Sequence, residues 1–330
     1  MLPSIRLTEI SKDSIRTYLI EKELISVKEF VQNYSAVAKN EFNSVYRLST
    51  NKNSLLLKQP KKWNASNNFL SPPPLETLKQ EASFYELIRS YDYLSRFMPS
   101  FYLFDEENQL LILEDISDAE NYYPIYKKHH INNEELQQLV KWLNHLHRVR
   151  LQPKEKALLE QKNIQTYYVS SFFDFPDKIK CGPDHALAAE LKQITDNSHV
   201  LDAIQSLKNN YQQGGFTLLH GDYQSGNWLI SDGGVYIIDP KFSTFGRPEI
   251  DLGSLVGHLL LASLPATKIE MVFGSYEDKS IDKELVFRFA GLEMIRRLIG
   301  VYPINFPGTT TQKKSKLNDA IQLLKGRQTV

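Results

Sequence analysis

Two short apolar runs, Phe216–His220 and Val235–Ile238, bracket a polar segment, and this bracket constrains the fold more than any other stretch of the chain. The first run leads into His220-Gly-Asp222-Tyr-Gln-Ser-Gly-Asn227. Trp-Leu-Ile and the tight turn Ser231-Asp-Gly-Gly234 follow, and the second run ends at Asp239. Apolar runs of this length between Gly, Asp and Ser clusters read as short strands joined by tight turns. The hairpin then returns Asp239 to the side of the loop that holds Asp222 and Asn227. Two carboxylates and an amide are thereby gathered at one end of a small sheet.

The spacing His-x-Asp-x-x-x-x-Asn is that of a kinase catalytic loop. Phosphoryl transfer from ATP needs a carboxylate to orient the attacking hydroxyl and accept its proton. It also needs oxygen ligands for Mg²⁺, because the transferred group and its neighbours are strongly anionic. Asp222 fits the first role; Asn227 and Asp239 fit the second. The bland readings are an Asx-turn for Asp222 and a loop cap for Asn227. Apolar strands on both sides, with an acid closing the second, favour the functional reading.

An independent check lies upstream. A kinase holds the ATP phosphates with a strand lysine, which a helical glutamate positions. Leu55-Leu-Leu-Lys58 is an apolar strand ending in lysine. Glu81 sits inside the apolar stripe Leu78, Ala82, Tyr85, Ile88 of a helix predicted from Leu75 to about Arg89. A carboxylate on a buried stripe makes sense if it meets a cation. Lys61, Lys62 and Glu86 are the alternatives. Leu110–Ile116 then reads as the strand entering a hinge, where the C=O of Glu114 and the N–H of Ile116 would pair with adenine. A glycine-rich phosphate loop is expected before Val45, yet residues 36–44 contain no glycine. Asn43 and Ser44, small and polar, are the candidates there.

Elsewhere the periods are coarser. Residues 8–34 read as helical, with Ser11 as N-cap and Ile15, Leu19 and Leu24 on one face. Asn43–Leu48 and Ser54–Lys58 read as strands, and so do Phe101–Phe104 and Leu110–Leu113. Residues 59–74 read as a loop. A strong 3.6-residue stripe, Leu136, Leu139, Val140, Leu143, Leu146 and His147, predicts a helix from Asn133. Residues 150–213 are mostly helical, as are 251–264 and 281–300, before a polar, basic tail. The sum is an α+β, bilobal chain. Residues 1–115 form a small antiparallel-sheet, nucleotide-binding lobe, and 116–330 a larger, mainly helical catalytic and substrate-binding lobe.

Composition narrows the class. The 330 residues carry 39 basic and 39 acidic side chains, so no net charge draws the chain to polyanions, which argues against a nucleic-acid binder. At 42% hydrophobic it is too apolar for disorder. A single cysteine, Cys181, permits neither an internal disulfide nor a thiolate metal site. No signal-like start is visible, and the longest apolar runs, such as Leu259–Ala262, are far short of a membrane span. A cytoplasmic protein without membrane or nucleic-acid partners is expected.

With these residues in view, the chain resembles the aminoglycoside phosphotransferase/choline kinase superfamily, of protein-kinase-like fold, over about residues 30–300. The resemblance rests on His220-Gly-Asp222…Asn227, Ile238-Asp239-Pro240, Gly246-Arg-Pro-Glu-Ile-Asp251-Leu-Gly and Trp142-Leu143…Leu146-His147. It implies ATP and Mg²⁺ as cofactors and a small hydroxyl-bearing acceptor. It also implies that His220 and Asp251 brace the catalytic loop without touching substrate. Leu7-Thr8-Glu9, Leu57-Lys58-Gln59 and Gly291…Arg296-Arg297…Gly300 are similar to the 5-methylthioribose kinases, which places Arg296 and Arg297 near the acceptor. Lys241 stands where those kinases usually carry Glu, and is the third substrate candidate.

The acceptor expected is a methylthioribose-like sugar, or an aminoglycoside or choline-type alcohol. No dense acidic run that would suit a polycation occurs in 150–215 or 255–330. Arg96, Tyr122, Tyr123 and Phe172–Phe175 are candidates to shape its pocket. The alternative is a non-catalytic, pseudokinase-like nucleotide-binding module, against which the full set Lys58, Glu81, Asp222, Asn227 and Asp239 argues. A protein-directed kinase ranks below both, because only twelve residues separate Asp239 from Asp251 and leave no long activation loop.

Overall fold

A computed structural model of the chain describes residues 5–37, 43–61, 74–116, 118–178, 186–300 and 303–327. Helix α1 (Lys12–Glu21) begins at Ser11, whose hydroxyl accepts the N–H of Ser14. Strands β1 (Val31–Ala36), β2 (Asn43–Thr50) and β3 (Ser54–Pro60) follow. Helices α2 (Glu76–Ile88) and α3 (Asp92–Arg96) then precede β4 (Phe101–Asp105) and β5 (Leu110–Glu114). The five strands make one antiparallel sheet in the order β1-β2-β3-β5-β4.

Alternation along the strands decides what each face covers. Leu55, Leu57, Leu110 and Ile112 pack against Ile15, Tyr18 and Leu19 of α1. Leu56, Leu111 and Leu113 point the other way, into a core shared with Leu78, Ala82 and Tyr85 of α2. Lys58 belongs to this second face, directly after the apolar run Leu55–Leu57.

Beyond the sheet the chain is mainly helical. A two-residue strand β6 (Glu120–Asn121) leads to α4 (Ile125–Lys128) and α5 (Asn133–His147). The start of α5 is fixed by a capping box between Asn132 and Glu135, and its apolar stripe is buried throughout. Helices α6 (Pro153–Leu159), α7 (Lys162–Phe172), α8 (Ala188–Thr195) and α9 (Ser198–Gln212) come next. Strand β7 (Thr217–Leu219), the hairpin β8 (Trp228–Ser231) and β9 (Gly234–Ile237), and β10 (Thr244–Gly246) build two small sheets. Helices α10 (Glu249–Leu261), α11 (Ala266–Ser275), α12 (Lys283–Ile299) and α13 (Thr310–Leu324) complete the body. The sheet is tied to this body by the N–H of Ile237 on the C=O of Phe97 (2.8 Å) and by Gln80 Nε2 on the C=O of Ser243 (2.7 Å).

One expectation needs correction. The helix expected over 8–34 covers only 12–21: Glu23 takes a left-handed φ of +58°, the chain turns, and residues 31–36 pair with β2. An edge strand with four exposed positions and a register shift has no local period to read. Helix α11 fills the stretch between the helices expected over 251–264 and 281–300. The basic tail is largely helix α13, capped by Thr309 and Gln312, with Leu317, Ile321 and Leu324 buried. Cys181 and residues 38–42, the centre of the expected phosphate loop, lie outside the described residues.

Helix α10 meets α12 through a glycine. A Cβ at Gly253 would come within 2.4 Å of the Phe289 Cβ and 3.0 Å of the Val286 carbonyl oxygen. Overpacking there forces the two helices apart. Gly253→Val is expected to lower stability by about 3 kcal/mol, read as an early urea-unfolding midpoint; an unchanged midpoint would show that the helices are not in close contact.

Candidate active site

The strand and helix geometry brings Lys58 off β3, Glu81 off α2 and Asp239 off the end of the β8–β9 hairpin to one point. The Lys58 Nζ lies 2.6 Å from Glu81 Oε1 and 2.9 Å from Asp239 Oδ1. All three side chains are buried, Glu81 completely. A buried ammonium is tolerated only with such partners. Burial pulls the Lys58 ammonium down, but Asp239 and Glu81 outweigh it and hold the group above the ordinary lysine range. Burial pushes the Glu81 carboxyl above the ordinary glutamate range, and Lys58 pulls against it. Asp239 has φ of +66°. A non-glycine residue in that left-handed region is strained, and such strain collects at functional positions.

The loop after β7 is wired from below. Both Asp251 oxygens, at the start of α10, accept backbone N–H groups: His220 N at 2.7 Å and Gly221 N at 3.0 Å. The His220 Nε2 donates to the C=O of Ile238 (3.0 Å) and its Nδ1 accepts from Asp222 N (3.3 Å). Burial, the largest influence on that ring, lowers its proton affinity, so it is neutral. Gly221 has φ of +79°, and a Cβ there would sit 2.1 Å from the Phe242 carbonyl oxygen, so this position admits glycine alone. Trp142 of α5 stacks on Tyr223, whose hydroxyl donates to the C=O of Leu139.

Asp222 faces the same cleft as Asp239. Its Oδ2 accepts from Asn227 Nδ2 and Gln224 Nε2, both at 3.2 Å. The Asn227 Nδ2 also donates to the Asp222 C=O (2.8 Å). Its Oδ1 accepts no hydrogen bond from a described residue. On the other side, Arg297 Nη2 lies 2.6 Å from Asp222 Oδ1, and Arg296 Nη2 3.8 Å. Burial pushes the Asp222 carboxyl up, but Arg297, Lys241 and Arg296 together bring it below the usual aspartate range.

The two arginines are themselves arranged by Glu293, three and four residues earlier on α12. Glu293 Oε2 accepts from Arg296 Nη2 (2.6 Å) and its Oε1 from Arg297 Nε (2.7 Å). The Glu293 Oε1 also meets His258 Nε2 at 3.0 Å, and His258 Nδ1 meets the Tyr126 hydroxyl, which reaches Ser225 Oγ. The Arg296 guanidinium carbon lies over Phe172, 3.5 Å from the ring centre. Lys241 Nζ is in contact with Asp239 Oδ2 and 3.8 Å from Asp222 Oδ2.

Lys58, Asp222, Asn227, Asp239, Lys241 and the two arginines line one cleft of about 490 Å³ between the sheet and the helical body. Val37, Val45 and Leu56 form its roof and Leu229 and Ile238 its floor, with Glu114, Asp115 and Ile116 at the back. That slot can sandwich a planar base. Arg47 pairs with Asp115 at 2.7 Å, which also accepts the Ser54 hydroxyl, so the back wall is pinned to the sheet. Tyr123, Phe172, Arg296 and Arg297 lie at the opposite end.

Of the residues singled out from the sequence, Lys58, Glu114, Ile116, Asp222, Asn227, Asp239, Lys241, Arg296 and Arg297 line this cleft. Glu81, His220 and Asp251 stand behind it. Asn43 is buried at the start of β2 opposite Pro60, with Ser44 beside it, while Val45 and Arg47 supply that strand's share of the wall. Lys61 and Glu86 are exposed, and Lys62 is outside the described residues. Arg96 lines a separate groove with Arg89 and Tyr102, and Tyr122 packs edge-on to Trp228. Sequence reasoning missed Gln224, Glu293, His258 and Tyr126. For Glu293 a signal existed: an acid three and four residues before two arginines shares their helix face.

An antiparallel sheet over a helical body, with this cleft between them, is the protein-kinase-like fold. The chain belongs to the phosphotransferase enzyme family, whose model matches residues 34–277. It is 26% identical over 205 residues to a methylthioribose kinase of Klebsiella pneumoniae, covering 58% of this chain and 50% of that protein. A methylthioribose kinase of Bacillus cereus is 23% identical over 244 residues, 69% of this chain and 60% of the relative. The chain thus spans about half the length of the curated relatives it matches. Among solved structures, a spectinomycin phosphotransferase in complex with ADP and spectinomycin superposes with a TM-score of 0.60 at 14% identity, covering 96% of this chain and 98% of that one. A Plasmodium vivax ethanolamine kinase does so at 0.58 and 14%, covering 96% and 90%. At such identity these two share the fold. Among the described residues no helix is long and apolar enough to cross a membrane.

Asp239 gives a signed pH prediction. Burial alone would raise its pKa, but Lys241 and Lys58 hold it below the ordinary value. A carboxyl whose folded pKa is depressed contributes stability above its unfolded pKa of ~3.9, and loses it as pH falls through the folded value. Asp239→Asn leaves two buried ammonium groups short of a partner and is expected to cost about 3–5 kcal/mol at pH 7. In urea titrations the gap between wild type and variant should narrow below about pH 4. A gap independent of pH would contradict the ion pairs.

Proposed function

We propose that the chain is an ATP-dependent small-molecule kinase. The observation that carries this reading is the Lys58 ammonium held between Glu81 and Asp239 on the wall of a cleft that Asp222 and Asn227 also face. On this reading residues up to about 115 form the nucleotide-binding lobe and the remainder the catalytic and substrate-binding lobe. Adenine occupies the apolar slot, pairing with the backbone of Glu114 and Ile116, and Lys58 reaches the phosphates.

The acceptor hydroxyl is oriented by Asp222. Its oxygen attacks the γ-phosphorus in line, the bond from that phosphorus to the bridging oxygen breaks, and ADP leaves with the electron pair. The hydroxyl proton passes to Asp222 and then to solvent. A carboxyl held below the usual range is a weak base, but a loose transition state asks chiefly for positioning and charge stabilisation. Asn227 Oδ1 and Asp239 are an amide and a carboxylate oxygen, the hard donors Mg²⁺ takes beside substrate phosphates. When bound, Mg²⁺ would neutralise charge on the β- and γ-phosphates. Arg297 and the amide groups of Asn227 and Gln224 hold the Asp222 carboxylate in one orientation.

Beyond Asp222 the wall carries Arg296, Arg297, Lys241 and the rings of Tyr123 and Phe172. Glu293, the acid beside the two arginines on α12, is buried and already shared by both guanidiniums. A polycation would meet repulsion here, so the acceptor is read as a sugar or another neutral or anionic alcohol.

Two measurements test this. Asp222→Asn is expected to lower turnover by about 10³-fold while ADP binding stays near the wild-type value; a variant that keeps about a tenth of the rate or more would contradict the role. An ADP-release screen should find turnover with methylthioribose-like sugars or anionic alcohols. Turnover confined to aminoglycosides would overturn the acceptor reading.

A further inference from the structure

Resting on the kinase reading above, we propose that the Lys241 ammonium takes the place of one of the two divalent cations that phosphoryl transfer commonly gathers, so that this chain binds its nucleotide with a single Mg²⁺. Two-metal sites place one ion on each side of the transferred group, each held by carboxylate or amide oxygens. In this chain the space between the two cleft carboxylates is already spanned by a cation. Lys241 Nζ touches Asp239 Oδ2 and lies 3.8 Å from Asp222 Oδ2, and the side chain is only 4% exposed.

The position is built, not incidental. Pro240 precedes Lys241, and the left-handed Asp239 turns the chain at that point. The Lys241 and Ser243 carbonyl groups both receive the Gln80 amide from α2, at 3.4 and 2.7 Å. The Phe242 ring lies 5.3 Å from the ammonium. The ammonium is thus buried between the Asp239 and Asp222 carboxylates.

Donor bookkeeping points the same way. Asp239 has Lys58 on Oδ1 and Lys241 on Oδ2, so a divalent ion shared by Asp222 and Asp239 would have to expel the lysine. Asn227 Oδ1 with one lone pair of Asp239 still suits one ion carried in on the phosphates. Among the described residues no cluster of three or more His, Cys, Asp or Glu side chains could hold a metal without them. Around the two cleft carboxylates Asp222 and Asp239 stand Lys58, Lys241, Arg296 and Arg297.

The experiment counts metal directly. Mn²⁺ is titrated into the protein with a non-hydrolysable ATP analogue, and bound metal is read by electron paramagnetic resonance. Wild type is expected to hold one Mn²⁺ per bound nucleotide. Lys241→Gln, which removes the charge and keeps a polar end, should admit a second ion or raise the Mn²⁺ needed for half-maximal nucleotide binding about tenfold; a thermal melt checks that it is folded, and Lys241→Arg should restore wild-type behaviour. Two Mn²⁺ per nucleotide in wild type would overturn the proposal and leave the kinase reading standing. So would a folded Lys241→Gln protein with unchanged stoichiometry and unchanged metal dependence. No nucleotide binding by wild type under any metal concentration would overturn the kinase reading itself.

Discussion

The structure depends on one buried ammonium. Lys58 cannot be left in an apolar interior unpaired, and the two carboxylates that satisfy it come from chain positions 23 and 181 residues away. The pairing therefore fixes three elements at once: the third strand of the sheet, the helix packed beneath it, and the end of a hairpin in the helical body. Breaking either pair would strand a charge in low dielectric, which costs far more than a surface ion pair returns. The same requirement that holds the sheet to the body leaves a fixed positive charge on the cleft wall. Stability and chemistry share one contact.

A second electrostatic unit works from the other side. Glu293 gathers His258, Arg296 and Arg297, and Arg297 in turn grips Asp222. The unit spans α10, α12 and the loop after β7, so Asp222 is set by groups whose own rotamers are locked by packing. Such preorganisation removes the need to reorient dipoles when charge moves during a reaction. It also explains the narrow tolerance of the loop itself. Asp251 takes two backbone N–H groups, His220 ties the loop to Ile238, and Gly221 leaves no room for a side chain.

Much of this was legible in the sequence, for physical reasons that differ from residue to residue. Asp222, Asn227 and Asp239 could be read together because a tight hairpin brings residues that are near in sequence near in space. Glu81 stood out because a carboxylate inside an apolar stripe demands a partner, and Lys58 was the cation at the end of the facing strand. Strand β1 was not legible: it is an edge strand of mixed polarity, held by pairing with β2. Glu293 and His258 were not legible as a unit, because their meaning depends on how three helices cross. Lys241 could be noticed as an unusual residue after Asp-Pro, but only the folded chain places its ammonium between two acids. The phosphate loop expected before Val45 falls where the described residues stop.

The account turns on whether the cleft beside Lys58 receives a nucleotide. Equilibrium titration of Mg²⁺ and a fluorescent ATP analogue into wild type and into Lys58→Met tests that most directly. Saturable binding to wild type, displaced by ATP and weakened at least about tenfold in a folded Lys58→Met protein, is the expected result. No saturable binding to wild type, or equal affinity in the two proteins, would contradict it.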